Sequence, residues 1–287
     1  MATLDTLIDK EIGTRKNQEQ KVMDYLLSHR ESILELSVSQ IADGAGVSSS
    51  TVVRFCKSLG YEGLKDFKLN FQAELVKQEQ ISRPFTWESS SSEICTLMET
   101  KSVHAVQSLI TESNMKAIDS IARAVVQARN TEILGLGGSA IIAEYLFREL
   151  LRYGKKVSLL TDPYMMRRNI SDRSPDDVLI AVSRSGSTKE ILDLASKAKM
   201  QKIRVFSLTS NEASPLAALS EAHVLSCNVR GFKDEGDAFS RLSQFSAINM
   251  ITLLSAIYLG RGNEEYKRNF NESSNYQNFL SGDKDVH

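Results

Sequence analysis

Residues 183–188 read Ser-Arg-Ser-Gly-Ser-Thr, a hydroxyl-rich stretch built around one glycine. The apolar run DVLIAV leads in and the helix-like EILDLASKAKM follows, so the stretch lies where a strand turns into a helix. A helix start presents backbone N–H groups and the positive end of the dipole, and short hydroxyls add donors. The chemistry this allows is the binding of a compact anion. A second turn of the same kind lies upstream, GLGGSA at 135–140. There Gly137 and Gly138 let the backbone approach an anion and Ser139 adds a hydroxyl. The candidate anion ligands are therefore Gly137, Gly138 and Ser139 with Ser183, Ser185, Gly186, Ser187 and Thr188. Glu190 is close enough to reach a ligand hydroxyl, although an acid in a helix's first turn is favoured by the dipole alone.

A different hydroxyl run, Ser48-Ser49-Ser50-Thr51, opens another helical pattern. Ser37 or Ser39 can cap a short helix ending near Ala45, and Gly46 can take a positive φ in a tight turn. Ser48 can cap a second helix to about Leu59, with Ala42, Val47, Val52 and Phe55 packing the pair together. Two short helices joined by a glycine turn make a helix-turn-helix, whose second helix offers its first residues to base edges in the major groove. The candidate DNA contacts are Ser48, Ser49, Ser50, Thr51, Arg54 and Lys57. Arg54 can fork onto guanine and Lys57 can neutralise a phosphate. Acids from Asp5 to Glu35 offset the early lysines and arginines, so positive charge concentrates at Arg54, Lys57, Lys65 and Lys68. A plain helical hairpin with a solvated polar face is the competing reading.

The elements that must position these residues divide the chain. Before residue 80 every strong pattern is helical, including Val22, Tyr25, Leu26 and Ile33 at helical spacing and the stretch YEGLKDFKLNFQAELVKQ. A proline and a serine run in ISRPFTWESSSSE mark a linker at 81–93. Residues 94–130 read as helices. From 131 onward TEILGLG, KKVSLLT, DVLIAVS, IRVFSLTS and HVLSCNV read as strands, with helices between them and a long apolar helix from Phe239 to Gly260 closing the unit. The predicted fold is an all-α helix-turn-helix domain over 1–80, followed by an α/β domain over 94–262. The latter is built on a five-stranded parallel doubly wound sheet, and residues 263–287 form a polar tail expected to fray. Ligands on such sheets bind at the carboxyl ends of the strands, where both glycine-containing turns fall.

The bulk numbers agree with a globular chain of 287 residues: 41% hydrophobic, 25% charged, net charge −1. That balance excludes a generally basic nucleic-acid coat but not a local basic face. The acidic start MATLDTLIDKEIG has no leader-type apolar core, and no apolar run is expected to span a bilayer. Cys56, Cys95 and Cys227 are far apart, and so are His29, His104, His223 and His287, so neither a metal site nor a disulfide is expected. Buried reduced thiols and a cytoplasmic location fit this usage. His104 reads as a packed or surface residue.

One alternative competes for the first turn. Gly135, Gly137 and Ala140 satisfy G-x-G-x-x-A, and Asp162 follows the next strand at roughly the ~20-residue spacing of a ribose-binding acid. A repressor sensing NAD(H) would join such a fold to a DNA-binding module. The hydroxyls of the second turn suit a phosphomonoester better than half of a dinucleotide.

Taken in order, DGAGVSSSTVVRFCKSLGYEGLKDFK, LGLGGSA and AVSRSGST give the chain a resemblance to the RpiR family of bacterial transcription regulators, over roughly residues 5–260. That resemblance implies an N-terminal helix-turn-helix and a C-terminal sugar isomerase (SIS) domain. It implies operator DNA and a phosphosugar effector as partners, an amino-sugar 6-phosphate among the candidates, with no cofactor besides that effector. Phosphate would be held by Ser139, Ser183, Ser185 and Thr188, and the chain would form a homodimer or higher homo-oligomer. The reading that follows is a regulator of a sugar-utilisation operon, a repressor rather than an enzyme. Some isomerases of the superfamily begin the helix after the last strand with arginine, a spacer, glutamine and glutamate. The similar stretch here is Arg241, Leu242, Ser243 and Gln244, which puts an amide where those enzymes carry an acid. Glu235 nearby keeps an isomerase in play, and Arg241 can bind the ligand or a second subunit.

Overall fold

The computed structural model describes residues 17–168, 173–228 and 236–280, which fall into two compact units meeting at Arg83–Pro84. Unit one opens with α1 (Asn17–Ser28), a 3-10 turn (Arg30–Ser32), α2 (Val38–Ala45), α3 (Ser49–Ser58) and α4 (Leu64–Ser82). The apolar pattern running through Ile33 is thus one helix plus a tight turn, which still buries Val22, Leu26 and Ile33 completely. Ser37, not Ser39, caps α2, and Gln40 returns the bond in a capping box. Gly46 ends α2 at φ 63°, where a side chain would be strained. Gly44 is needed for another reason: the ring of Tyr25 lies where its Cβ would be, 2.2 Å away. Ile41, Ala42, Val52, Phe55 and Phe67 close one core, with Val47 packed on its edge.

Unit two begins with α5 (Ser91–Gln107) and α6 (Glu112–Gln127). There follow β1 (Thr131–Gly135), α7 (Gly138–Arg152), β2 (Val157–Leu160), α8 (Pro163–Arg168), β3 (Val178–Val182) and α9 (Lys189–Met200). The chain continues through β4 (Arg204–Thr209), α10 (Pro215–Leu219), β5 (Ala222–Leu225), α11 (Gly236–Gly260) and α12 (Glu264–Leu280). The five strands are all parallel, in the order β2-β1-β3-β4-β5. Alternate strand residues face opposite layers. Ile133, Ile180 and Phe206 meet α6, α7 and α11 in one core, while Leu134, Leu179, Ala181 and Val205 meet α8, α9 and α10 in the other. The edge at β5 is closed by a side chain. Asn114 accepts from the Leu225 N–H at 2.8 Å and donates to its carbonyl at 3.1 Å, standing in for a missing strand.

Several expectations change. Residues 264–280 do not fray into coil but form α12, with Tyr266 reaching the Tyr153 carbonyl at 3.3 Å and Phe270 stacked on Tyr153. The linker is shorter than its composition suggested, because α4 runs to Ser82 and the serine run itself caps α5 through Ser90, with Glu93 completing a capping box. Cys56 and Cys227 are buried but Cys95 is exposed, and burial pushes the Cys56 thiol up to about 11. By length and composition, the stretch Ala238–Gly260 is long and apolar enough to cross a membrane, contrary to the reading of the sequence. In the fold it packs Ala247, Ile248 and Ile251 into the sheet core and buries Ser240, Ser243, Gln244, Thr252 and Ser255, the polar content of an interior helix.

Candidate functional site

The order 2-1-3-4-5 puts the topological switch between β1 and β3, and the crevice beyond their carboxyl ends is where such sheets bind ligands. The register is direct: Gly135 pairs with Val182, so the two glycine-containing turns leave the sheet side by side. All eight candidate anion ligands are thereby brought to one edge.

The second turn is a tight hydroxyl-lined loop. Ser183 is 2% exposed; its Oγ accepts the Gly186 N–H at 3.2 Å and lies 3.4 Å from Thr188 Oγ1. The Ser187 N–H donates to Ser185 Oγ at 3.3 Å, and Ser187 Oγ donates to the Ser185 carbonyl at 3.2 Å. Ser185 and Ser187 face solvent, and Thr188 is half-buried. Gly186 is at φ 63°, and a Cβ there would stand 2.2 Å from Ser214 Oγ, so only glycine fits on both counts. The loop is clasped from behind. The Arg184 carbonyl accepts from Thr209 Oγ1 at 3.1 Å and from the Ser210 N–H at 2.9 Å, and the Gly186 carbonyl accepts from the Leu216 N–H at 3.1 Å.

The two helices that leave these turns differ from others in the unit. Ser90, Thr111 and Ser214 each accept a backbone N–H at the start of α5, α6 and α10. Gly137 and Thr188 form no side-chain cap on α7 and α9. At α7 the Ser139 and Ala140 N–H groups donate instead to the Leu136 and Gly137 carbonyls, both at 3.1 Å. Gly137 sits at φ 55° and is exposed, while Gly138 and Ser139 are half-buried behind it. Gly135 serves packing instead: a Cβ there would stand 2.7 Å from Ala143 Cβ and 2.6 Å from the Ser139 carbonyl.

Arg241 joins the first loop from α11. A Cβ on Gly138 would meet its Nη2 at 2.6 Å, so this guanidinium packs against the glycine turn. The next residues have inward roles. Ser243 Oγ accepts the Cys227 N–H at 2.9 Å, and Gln244 donates to Ser226 Oγ at 3.2 Å. A buried hydroxyl network missed at sequence level lies alongside. Ser210 Oγ is 2.7 Å from both Ser226 Oγ and Ser240 Oγ. Its only sequence signal was serine at the ends of SLTS and VLS, which is equally common chain punctuation. Against it opens a cavity of about 240 Å³, lined by His104 of α5 and Ser108 just past its end together with Ser210, Leu225, Ser226, Cys227 and Asn228. Glu190 is half-buried in the first turn of α9, and Glu235 lies outside the described residues. Asp162, the candidate ribose acid, caps α8 instead, accepting the Met165 N–H at 2.8 Å.

On the helix-turn-helix, Ser48, Ser49, Ser50, Arg54 and Lys57 are exposed on α3. Thr51 is not: it is 4% exposed, so the expectation that it reaches DNA is corrected. Ser48 caps α3 by accepting the Thr51 N–H, and Thr51 Oγ1 in turn accepts from Arg54 Nη2 at 3.2 Å. Buried threonine thus orients the exposed arginine. Lys68 is partly spent on structure, donating to the Leu34 carbonyl at 2.7 Å.

The fold and these two regions define a class: a helix-turn-helix unit joined to a parallel α/β unit with glycine- and hydroxyl-bearing loops at its strand ends. The model of the rpiR-family helix-turn-helix domain matches residues 3–78, and the SIS domain model matches residues 125–254. A Thermotoga maritima protein described as an uncharacterized HTH-type transcriptional regulator is 32% identical over 246 residues, covering 84% of this chain and 87% of its own. The uncharacterized HTH-type regulator YbbH of Bacillus subtilis is 27% identical over 251 residues, covering 87% of each chain. Among solved structures, Vibrio vulnificus NanR complexed with ManNAc-6P superposes with a TM-score of 0.55 at 27% identity, over 97% of this chain and 99% of that one. The chain belongs to the RpiR family of HTH-type transcriptional regulators.

Proposed function

We propose that this regulator is a repressor of a sugar-utilisation operon that binds operator DNA through α3 and a phosphosugar through the loops 137–139 and 183–188. The observation that carries the effector half is the pair of uncapped helix starts leaving the sheet from register partners Gly135 and Val182. Ser183, Ser185, Ser187 and Thr188 supply hydroxyls to a phosphate, Gly137, Gly138 and Gly186 open the backbone, and Ser139 adds a donor. The NanR complex supports an amino-sugar 6-phosphate as the first class to test.

Catalysis is not part of this reading. Aldose–ketose isomerisation needs a base at a carbon acid. Position 244 is an amide that already donates to Ser226, and an amide takes up no proton. Ser48, Ser49, Ser50, Arg54 and Lys57 form the DNA-facing set, with Arg54 reading a base and Lys57 a phosphate. The chain acts as a homodimer or higher homo-oligomer, which the exposed Ile141 and Leu151 of α7 and Leu253 and Ile257 of α11 favour. Such pairing matches a two-fold operator.

The test is a thermal shift against phosphosugars, with the unphosphorylated sugars and NADH as controls. A ligand at 100 times its Kd stabilises by about 2.7 kcal/mol. One phosphosugar is expected to raise Tm and to change retardation of an operator fragment. A response to NADH alone would replace this reading.

A further inference from the structure

Lys101 of α5 is fully buried, at 0% exposure. Lysine is almost never found in that state without a partner. Its ammonium lies over two rings, 5.0 Å from the Phe85 centroid and 5.8 Å from that of Phe239. Those rings come from distant parts of the chain. Phe85 stands just past the boundary between the two units, separated from the end of α4 by Arg83 and Pro84. Phe239 lies at the start of α11, directly before Ser240 and Arg241.

Successive helix residues point about 100° apart. These three therefore reach three neighbours: Phe239 the Lys101 ammonium, Ser240 the hydroxyls of Ser210 and Ser226, and Arg241 the Gly138 turn. One helical turn touches the connecting segment, the sheet end and the anion loop together. The Thr86 N–H donates to Ser89 Oγ at 3.0 Å, the Ser89 N–H donates to the Thr86 carbonyl at 3.1 Å, and Ser90 caps α5.

We infer that the Phe239–Ser240–Arg241 turn, clamped to Phe85 through Lys101, is the joint by which occupancy of the anion loops is passed to the DNA-binding unit. An anion between the loops attracts the guanidinium of Arg241. Arg241 has no room to move further toward Gly138, so the turn that carries it adjusts instead. The hydroxyls of Ser210, Ser226 and Ser240 can each donate or accept, so the network can re-pair when the turn moves. Phe239 then changes its hold on Lys101, and Lys101 its hold on Phe85. Coupling of this kind requires the two states of the turn to bind the effector differently.

This inference rests on the reading of the chain as a phosphosugar-responsive regulator, and the experiment separates the two. The full chain, wild type, Lys101→Met and Phe85→Leu, is titrated with N-acetylmannosamine 6-phosphate and with glucosamine 6-phosphate. Each titration is made with and without a DNA fragment selected by the wild-type protein. In the wild type the better sugar is expected to change DNA affinity by about tenfold, within the usual range of allosteric factors. Both variants are expected to bind sugar alone and DNA alone within about threefold of wild type, while the change in DNA affinity shrinks to under about twofold. If both variants keep the full wild-type change, the joint is wrong and the regulator reading stands. If Lys101→Met does not fold, Phe85→Leu decides on the same criterion. A wild type that binds neither sugar phosphate, or binds one without any change in DNA affinity, removes the basis for the joint before any variant is made.

Discussion

Two serine runs begin helices in this chain, and the structure puts them to opposite use. In Ser48-Ser49-Ser50-Thr51 the hydroxyls close the helix start. Ser48 Oγ accepts the Thr51 N–H and lies 2.8 Å from Ser50 Oγ and 2.9 Å from Thr51 Oγ1. In Ser183–Thr188 the hydroxyls bond within the loop, and Thr188 leaves α9 without a side-chain cap. The first run satisfies its own helix and offers a side chain, Arg54, to the outside. The second withholds the cap and offers the backbone. Residue type is nearly the same in both; the difference is a glycine at φ 63° that folds the second run back on itself. A capped start is a structural device, and under the proposed function the uncapped one beside hydroxyls receives the phosphate.

Five substitutions press on that contrast, the largest effect first. Gly186→Val places a branched Cβ at positive φ where Ser214 Oγ is 2.2 Å away. We expect phosphosugar binding to fall at least ~100-fold by calorimetry, with the strained loop also lowering Tm. Unliganded DNA binding should be unaffected, and equal loss of both would mean the loop is merely a folding element. Arg54→Ala should weaken operator binding by about 10- to 100-fold in a retardation assay, the ~1–3 kcal/mol of a bidentate base contact, with sugar affinity unchanged. Ser185→Ala removes one exposed hydroxyl from the cradle and should cost about tenfold in phosphosugar affinity. An unchanged Kd would assign the phosphate to the backbone N–H groups alone. Ser48→Ala should cost about 1 kcal/mol of unit-one stability in chemical denaturation, the ordinary loss of a cap. The matching change at the second run, Thr188→Ala, should leave stability within about 0.5 kcal/mol, because no cap is lost there. A loss at Thr188 as large as at Ser48 would erase the distinction.

Much of this was legible in the sequence because it depends on local rules. Short apolar runs located the strands of the sheet and period-3.6 patterns the helices between them, and glycines marked both the turn at Gly46 and the loop at Gly186. The candidate site was legible as residue types at strand-to-helix turns. Local rules also misled. G-x-G-x-x-A followed by an acid reads as a dinucleotide fingerprint, yet Gly135 answers to helix–strand packing and Asp162 to a helix cap. The tail at 264–280 looked too polar to hold structure, because its amphipathic contribution, Tyr266 and Phe270 against Tyr153, depends on a residue over a hundred positions away.

What the sequence determined by itself was therefore the set of elements, their order, and the hydroxyls and glycines carried on the turns, since these follow from bonded geometry and nearest-neighbour periodicity. Only the tertiary structure decided which hydroxyls face outward. Thr51 is turned inward by the packing of α3, while Ser210, Ser226 and Ser240, from three separate elements, meet in the interior. It also decided that Arg241 lies on the Gly138 turn and that Lys101 is sealed between Phe85 and Phe239. Two of those contacts, Arg241 with Gly138 and Lys101 with Phe239, join positions more than a hundred residues apart. Their geometry is set by how the sheet and its helices close on one another, and no local pattern of residues encodes it.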